Sequence, residues 1–600
     1  MKTAAFWKER TWLAFALAAL VFRTWYGCTL TFRGEDYLHT YLIGLKFFTT
    51  GVWPWFGPDV VHTNSQIPGA LEGLLVGGPF FVWSNPVSPL IFLNLISFIA
   101  LTVFGAYLIK RFPSMPRWFV WAWLWFSPWT LNFSTTPINP SYVLWAAIPF
   151  IITLIEGYVG YTQRLVAAKP GFFIIGLCIG WTMQLHLSWV LMPCLTFPLF
   201  ILEWKKKGTV HAMALTGLAI LGLAISLSTL YPTLIRYGSV MSGGVESNIQ
   251  FHAENLKNLP DLFFRAMGFA SFEILQFLPG GQNEWKSFFT AHPVLSPITI
   301  VLVAAGLIQS IYLLIAFFLR NQRPEWKSVR LLTAAVLVFL YISYLFSIRS
   351  PGSMTFYMLL PLLVWYAFYP LENLMQKVLW RRIAMILLAV NLTFHVGLAY
   401  AYLPEHSLQS HYALVQEAME KQDSRLLDFR RVATWEWNLR DAAWKATYQA
   451  SDNGAVLVFT NNFEYEDEYI RPETLYDTVS ASPPWACRID STYWRSIRFV
   501  RYFRDIRYCS YVRVALKSYC LNAPRARLVL RIYEGDEDLM HHEHEVCSGE
   551  SNDGKWIALQ FGHEVQKTIP YDAIVEAYVE IPPPEKGTLY IDDFEVSFVP

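Results

Sequence analysis

Residues 11–48, TWLAFALAALVFRTWYGCTLTFRGEDYLHTYLIGLKFF, combine an apolar segment, an acidic pair and an amphipathic segment. The apolar segment, 11–31, has the roughly 20 residues that a helix needs to cross a bilayer. It contains Arg23 and no small-residue cleavage site follows it, which favours a retained signal anchor over a cleaved signal peptide. Glu35 and Asp36 come just after it. Charge so close to hydrocarbon is expensive, and it indicates either a functional site or an ordinary solvated loop.

The distribution of charge divides this chain of 600 residues into two parts. Up to Leu403 it has 26 lysines and arginines against 14 aspartates and glutamates, whereas the rest has 21 against 32. Only 16% of all residues are charged, where soluble proteins carry roughly a quarter. These values exclude a single soluble domain, a disordered chain and a nucleic-acid-binding protein with a global basic excess. We expect a membrane domain over 1–403, a helical linker over 404–454 and a water-soluble domain over 455–600.

Eleven apolar segments are predicted to span the membrane as α-helices, which gives a polytopic membrane domain. They lie near 11–31, 86–109, 117–133, 139–158, 171–184, 187–203, 211–234, 294–319, 330–348, 354–371 and 381–403. Loops retain positive charge on the cytoplasmic side, and the two alternate sets of loops hold 18 and seven lysines and arginines. The N-terminus is therefore predicted to be cytoplasmic, and an odd number of spans places the C-terminal domain outside.

The outer domain changes to short strand-like runs separated by turns, such as 456–459, 511–516 and 588–598. That spacing predicts an antiparallel β-sandwich. Its four cysteines would lie in a compartment where disulfides persist, so two bridges are expected, with three pairings left open. These cysteines are Cys487, Cys509, Cys520 and Cys547.

A run of histidines, His541-His542-Glu543-His544, is another candidate for chemistry in this domain. On a strand, His542 and His544 share one face, so a transition-metal site is conceivable. No third ligand is evident in the sequence, and a polar outer face of the sheet is the favoured interpretation.

The order of motifs in the membrane domain resembles the GT-C glycosyltransferases that use lipid-linked sugars. The similarity is to the branch with the protein O-mannosyltransferases and the lipid A aminoarabinose transferase. In that family a first outer loop opens with an acidic pair and an aromatic residue and continues through a membrane-surface helix. The matching residues here are Glu35, Asp36 and Tyr37, with the helix running to Phe48.

Three further runs resemble the same family, and the resemblance covers roughly residues 10–400. They are Gly-Val-Trp-Pro at 51–54, Asn-Pro-Ser at 139–141 and Gln-Leu-His-Leu-Ser at 184–188. Each run is short, so their order and topology carry more weight than any one of them.

The resemblance implies that one carboxylate of the acidic pair accepts a proton from an acceptor hydroxyl as it attacks the anomeric carbon. The reaction would invert that centre and release a polyprenyl phosphate. The family usually has Asp before Glu, whereas this chain has Glu35 before Asp36; we favour Asp36 as the base, with Glu35 as the alternative.

Cations and donors near the outer surface should bind the leaving phosphate. The candidates are Arg349, His186, Arg236 and His62. The alternatives are an interfacial snorkelling role for Arg349, a satisfied helix-end histidine for His186, and solvated loop positions for Arg236 and His62.

Metal ions enter the predictions at two places. Asp59 and Glu72, further along the first outer loop, could position the acceptor or a divalent ion, although the sequence requires no cofactor. In the outer domain, residues 461–464 and 590–595 resemble the first and last strands of carbohydrate-binding modules. In those modules a structural calcium often bridges the two strands, and the resemblance implies Glu464 and Asp593 as its ligands. The alternative is a solvent-facing acidic strand end.

The sequence has no glycine-rich phosphate loop followed by Lys and Ser/Thr, which argues against a nucleotide-sugar donor and against an ATP-driven pump. The resemblance implies an inverting hexosyl- or pentosyltransferase with a polyprenyl-phosphate sugar donor. Its acceptor would be a glycan, lipid or protein on the outer face of a bacterial cytoplasmic membrane. Membrane lipids are expected partners, and nucleic acid is not. The alternatives are a transporter or flippase for a lipid-linked glycan, and a non-catalytic membrane-anchored glycan-binding protein.

Overall fold

The computed structural model describes two compact units. A helical unit contains most of the chain up to Ser424, and a β unit contains most of Arg425–Pro600. The residues that are not described are 1, 34, 52, 61–64, 238–250, 279–284, 322, 347–356, 422–444, 452–453, 462–474, 477–478, 483–485, 492–493, 497, 503–508, 523–524, 535–536, 548–553, 566–568, 570–572, 583–586 and 600.

The helical unit is built from α-helices of very different lengths. In chain order they are α1 (Lys2–Thr29), α2 (Glu35–Thr50), α3 (Leu71–Val82), α4 (Ser88–Arg111), α5 (Arg117–Phe126), α6 (Pro128–Phe133), α7 (Asn139–Tyr158), α8 (Ala168–Met183), α9 (Leu191–Lys207), α10 (Thr209–Ser226), α11 (Tyr231–Tyr237), α12 (Leu259–Gly268), α13 (Trp285–Ala291), α14 (Leu295–Phe318), α15 (Trp326–Tyr344), α16 (Leu360–Met375), α17 (Val378–His406) and α18 (Leu408–Glu420). Two short strands, β1 (Phe56–Val60) and β2 (Ser65–Pro68), precede α3.

Eight helical segments among the described residues are long and apolar enough to cross a membrane. They are Ser88–Arg111, Asn139–Tyr158, Leu187–Lys207, Thr209–Thr229, Leu295–Phe318, Trp326–Tyr344, Tyr357–Met375 and Val378–Pro404. The polytopic helical membrane domain is thus confirmed, but the predicted count of eleven is not. The other three predicted segments, 11–31, 117–133 and 171–184, are helical too, but α1 is not among the eight, α5 and α6 are separate short helices, and α8 has only 16 residues.

A buried arginine donates hydrogen bonds to backbone carbonyl groups on both sides of the break between α5 and α6. Pro128 cannot donate a backbone hydrogen bond, so helical bonding is interrupted there and nearby carbonyl groups need other donors. Arg23 of α1 is fully buried and supplies them: its Nη1 donates to the carbonyl oxygen of Trp125 at 2.7 Å and its Nη2 to that of Thr130 at 3.2 Å. Its Nη2 also donates to the hydroxyl of Ser134 at 2.7 Å. The charge in the first apolar segment therefore has a structural role.

Glycines allow α8 and α10 to pack backbone against backbone. A Cβ placed on Gly176 of α8 would lie 1.9 Å from the carbonyl oxygen of Ala219. A Cβ on Gly222 of α10 would lie 2.2 Å from the carbonyl oxygen of Phe173. Small residues give membrane helices this close approach, which replaces the hydrophobic driving force that lipid does not provide.

The β unit is antiparallel throughout its described strands. They are β3 (Lys445–Ser451), β4 (Gly454–Asn461), β5 (Leu475–Tyr476), β6 (Ala486–Asp490), β7 (Phe499–Tyr502), β8 (Tyr511–Leu521), β9 (Arg527–Glu534), β10 (Glu537–Glu545), β11 (Trp556–Glu564), β12 (Ile574–Glu580) and β13 (Thr588–Val599). One sheet has the order β11-β8-β13-β4-β3, with β6 also beside β13 and β5 beside β6; the other has the order β10-β9-β12-β7.

The two sheets share one apolar core, which confirms the predicted antiparallel sandwich. Leu516 and Val596 of the first sheet and Leu530 and Val575 of the second are among its buried members. The strand β8 shows the alternation that this packing needs, because every second side chain from Val512 onward is buried.

Two details of this unit differ from the predictions. Residues 445–451, expected within a helical linker, form β3, which pairs with β4 along its whole length; the linker does contain α18. Of the two expected disulfides, Cys520–Cys547 is formed and joins β8 to the end of β10, across the two sheets. Cys487 and Cys509 are not joined to each other or to another cysteine, so the expectation of a second bridge was wrong for this structure.

Candidate functional site

The acidic pair begins α2. Glu35 is the first residue of this helix, and the side chain of Asp36 in the first turn is exposed. The free N–H groups and the dipole of a helix start favour an acidic residue at this position. The side chain of Glu35 lies outside the described residues, so both acids stay candidates for the base.

Arg33, just before the pair, belongs to a network of polar side chains. Its Nη1 donates to Oδ1 of Asn132 at 2.9 Å, and its Nη2 donates to the hydroxyl of Tyr37. The hydroxyl of Tyr26 donates to the same Oδ1 at 3.0 Å. The side-chain nitrogen of Asn132 lies 3.2 Å from Nε2 of His395 in α17. Side chains from four separate elements thus fix the guanidinium next to the start of α2.

Sequence reasoning missed Arg33 as a functional candidate, because it was counted only as one of the loop cations. A guanidinium carries five N–H donors, so the bonds to Asn132 and Tyr37 leave capacity for an anionic oxygen. The available signal was its position, two residues before the acidic pair and just after the first apolar segment.

The turn after α8 contacts the first outer loop through Gln184. This side chain is buried; its Oε1 accepts from the hydroxyl of Thr229 at 2.7 Å and its Nε2 donates to the carbonyl oxygen of Ser226 at 3.0 Å. Gly69 lies directly against it at φ +116°, where a Cβ would be 2.6 Å from Oε1. Both the backbone conformation and the contact therefore require glycine at position 69.

The two later family motifs contact each other at this turn. The side chain of Asn139 donates to the carbonyl oxygen of Leu185 at 2.8 Å. Nδ1 of His186 accepts from the backbone N–H of Ser188 at 3.1 Å and caps the short 3-10 helix Leu187–Val190. These contacts are those of the helix-end histidine that was the alternative interpretation, and phosphate binding by His186 stays a prediction.

Glu72 lies in the first turn of α3 and is fully buried. The hydroxyl of Thr40 in α2 donates to its Oε1 at 3.2 Å. A Cβ on Gly57 would lie 3.3 Å from Oε2 of Glu72 and 3.6 Å from the carbonyl oxygen of Gln184. Asp36 and Thr40 are four residues apart in α2 and so share a face of that helix. The helix therefore brings an exposed and a buried carboxylate to its same side.

The remaining candidates of the membrane domain have no described side chain. Arg349 and His62 lie outside the described residues, and for Asp59 and Arg236 only the backbone is described. Their roles stay predictions.

In the β unit, the carboxylate of Asp593 already has a cationic partner. Its Oδ2 accepts from the hydroxyl of Ser482 at 2.7 Å and lies 2.7 Å from Nζ of Lys517. The hydrogen bond and charge of Asp593 raise the pKa of Lys517. Glu464, the other predicted calcium ligand, lies outside the described residues. Calcium binding stays a prediction, and an ion at Asp593 would compete with the ammonium group.

The structure adds His563 of β11 to the histidines of β10. The ring of His542 stacks on that of His563 with centroids 3.6 Å apart, and Nε2 of His544 lies 2.5 Å from Nε2 of His563. Burial and the neighbouring histidines lower the pKa of both His544 and His563. Parallel rings do not direct their nitrogens at one point, and the described side chains include no group of three or more His, Cys, Asp or Glu placed to hold a metal.

Comparisons with known proteins gave similarities in structure only. No family model and no curated protein matches the sequence. The chain is similar to ArnT from Cupriavidus metallidurans bound to undecaprenyl phosphate, with 11% identity and a TM-score of 0.42 over 68% of this chain and 78% of that one. It is also similar to the arabinosyltransferase EmbB from Mycobacterium smegmatis, with 11% identity and a TM-score of 0.30 over 98% of this chain and 64% of that one.

A structure described as a CBM4 is similar over 26% of this chain and 77% of that one, with 12% identity and a TM-score of 0.13. All these TM-scores are below 0.5, so the functional proposal rests on the residues of the site.

Proposed function

We propose that the chain is an integral-membrane glycosyltransferase of the GT-C type. It transfers a sugar from a polyprenyl-phosphate donor to a glycan, lipid or protein acceptor on the outer face of a bacterial cytoplasmic membrane. The observation that carries this proposal is the geometry of α2, which holds Asp36 in its first turn, on the face from which Thr40 contacts the buried Glu72.

The chemistry assigns distinct roles to the groups around α2. Asp36 accepts the proton of the acceptor hydroxyl as its oxygen attacks the anomeric carbon, and the bond to the phosphate breaks on the opposite side. Arg33, fixed by Asn132 and Tyr37, binds the charge that develops on the leaving phosphate. The buried Glu72 orients α2 and α3 through Thr40. The β unit recognises a glycan acceptor, and its tether raises the local acceptor concentration.

The test replaces Asp36→Asn and Glu35→Gln separately in cells that lack the wild-type chain, followed by mass spectrometry of envelope glycans and glycoproteins. Loss of the general base should reduce transfer by about 10²- to 10⁴-fold. Glu254→Gln is the matched control, because this acid lies far along the chain from α2 and its side chain is 62% exposed.

The possible results separate the candidate functions. Unchanged glycans in both variants, together with altered glycans after complete deletion, would refute the catalytic assignment. Normal glycans after complete deletion would instead favour the membrane-anchored glycan-binding protein. Loss of a lipid-linked glycan from the outer leaflet, with both acids dispensable, would favour the flippase.

A further inference from the structure

A groove lies between α9 and α10 at the end where these helices are joined. Its volume is about 430 Å³. The lining side chains that matter here are Phe200 and Trp204 of α9 and Thr209, Met213, Gly217 and Ile220 of α10. This surface is almost wholly apolar, and its size is within the range of about 300–1,000 Å³ of small-molecule sites.

The sequence of the two helices explains the groove. Phe200 and Trp204 are one turn apart and form one wall. On the opposite side, Gly217 has no side chain to fill the groove. The space beside it is open, because a Cβ placed there would meet no heavy atom within 4 Å. The connection is tight: Gly208, at φ +81°, joins the helices, and the indole N–H of Trp204 donates to the hydroxyl of Thr209 at 3.2 Å.

Three lysines end α9 beside the groove residue Trp204, and helical spacing places Lys207 on the face of α9 that carries Phe200 and Trp204. Lys205, Lys206 and Lys207 directly follow Trp204 and are all exposed. The acid beside them, Glu203, is only 1% exposed and pairs with Arg164 at 2.7 Å. Since Arg164 already balances the charge of Glu203, the end of α9 presents a net positive surface beside an apolar groove.

We propose that this groove binds one anionic glycerophospholipid. An acyl chain lies along Phe200, Met213 and Ile220, and the phosphate contacts Lys205–Lys207. Basic pockets between membrane helices recognise anionic headgroups, and each cation near the surface adds to the attraction. Charge complementarity therefore selects an anionic lipid over a zwitterionic lipid or an apolar helix.

This lipid site is separate from the candidate transferase site. The helix α9 has 17 residues and so advances about 25 Å from end to end. Its first residue, Leu191, follows the His186 cap, whereas the groove opens at its last turn. The proposal consequently does not depend on the assignment of Asp36 or Arg33.

The experiment measures lipid retention by the purified full-length chain with native mass spectrometry, in an equimolar mixture of palmitoyl-oleoyl phosphatidylglycerol and phosphatidylcholine. The wild-type chain should retain one phosphatidylglycerol. Gly217→Leu should abolish this, because its side chain fills the groove, whereas Gly217→Ala should not. Replacing Lys205, Lys206 and Lys207 by Gln should weaken binding by about fivefold for each lysine removed.

The charge control is the double variant Lys377→Gln and Arg382→Gln, which removes exposed cations at the start of α17. It should retain the lipid as the wild-type chain does. Equal retention of phosphatidylcholine, or undiminished retention of phosphatidylglycerol by Gly217→Leu, would overturn the proposal. So would an equal loss in the lysine variant and the charge control. The exposed lysine positions keep the test valid if Gly217→Leu fails to fold.

Discussion

Substitution of Gly222 by alanine should force α8 and α10 apart. The added Cβ would lie 2.2 Å from the carbonyl oxygen of Phe173 and 2.9 Å from the backbone nitrogen of Leu177. Optimal contacts between carbon atoms are about 3.5–4.0 Å, so the helices must separate by roughly an ångström. Such overpacking costs typically about 1–3 kcal/mol. This exceeds the gain of about 0.5–1 kcal/mol that alanine has over glycine in a helix.

The matched control is Gly217→Ala in the same helix. Its Cβ meets nothing within 4 Å, so it should show only the small intrinsic gain of alanine and melt at or slightly above the wild-type temperature. Thermal unfolding of the purified chain in detergent, followed by tryptophan fluorescence, should therefore give shifts of opposite sign. Gly222→Ala should also lower transfer activity, since Gln184 bonds to the backbone of Ser226 beside this contact. Equal melting temperatures for the two variants would refute the reasoning.

Three further results are expected. Because burial lowers the pKa of His563, its neutral ring contributes stability above about pH 6.5, which is lost as the pH falls through the lower folded-state pKa. Lowering the pH should then reduce the melting temperature of His563→Gln less than that of His541→Gln, in which an exposed ring is replaced. An equal decrease in the two variants would contradict this. Cys520→Ser opens a loop with a separation of 27 residues, so it should lower the free energy of unfolding by about 3.5 kcal/mol in denaturant titration, while Cys509→Ser changes it little. Arg33→Gln should reduce transfer by about 10²- to 10³-fold, and Arg33→Lys by less because it keeps the charge; indistinguishable rates would argue against phosphate binding.

Much of the fold could be predicted because apolar length and alternation are local properties. Every segment predicted to span the membrane contains helix in its described part. The runs predicted as strands in the outer domain form a sandwich of two sheets. The break at Pro128 was not predicted, because the mostly apolar composition of the segment 117–133 was interpreted as a single span. The pairing of Cys520 with Cys547 could not be selected either, since it depends on which strands face each other across the sandwich.

The candidate site was less predictable, because its contacts join distant parts of the chain. Glu35 and Asp36 were found from a local motif, but the role of Arg33 depends on Asn132, 99 residues further along. Glu72 was predicted as a candidate, but its hydrogen-bond partner Thr40 was not. Nothing in the sequence distinguishes this threonine from the other hydroxyl residues near the acidic pair. For His186 the sequence allowed either phosphate binding or a helix-end position. The contact that its Nδ1 makes with the backbone N–H of Ser188 could be seen only in the structure.

The buried Arg23 has a consequence for the order in which the membrane domain assembles. Its last partner, Ser134, is 111 residues away, so synthesis at about 5–20 residues per second delays that contact by roughly 6–22 s. During this interval α1 carries a charge whose insertion costs about 2.5–3.5 kcal/mol and whose carbonyl partners have not been made. The first helix is thus stabilised only after α5 and α6 have been made, and a ribosome-bound chain that ends before α5 should leave α1 poorly inserted.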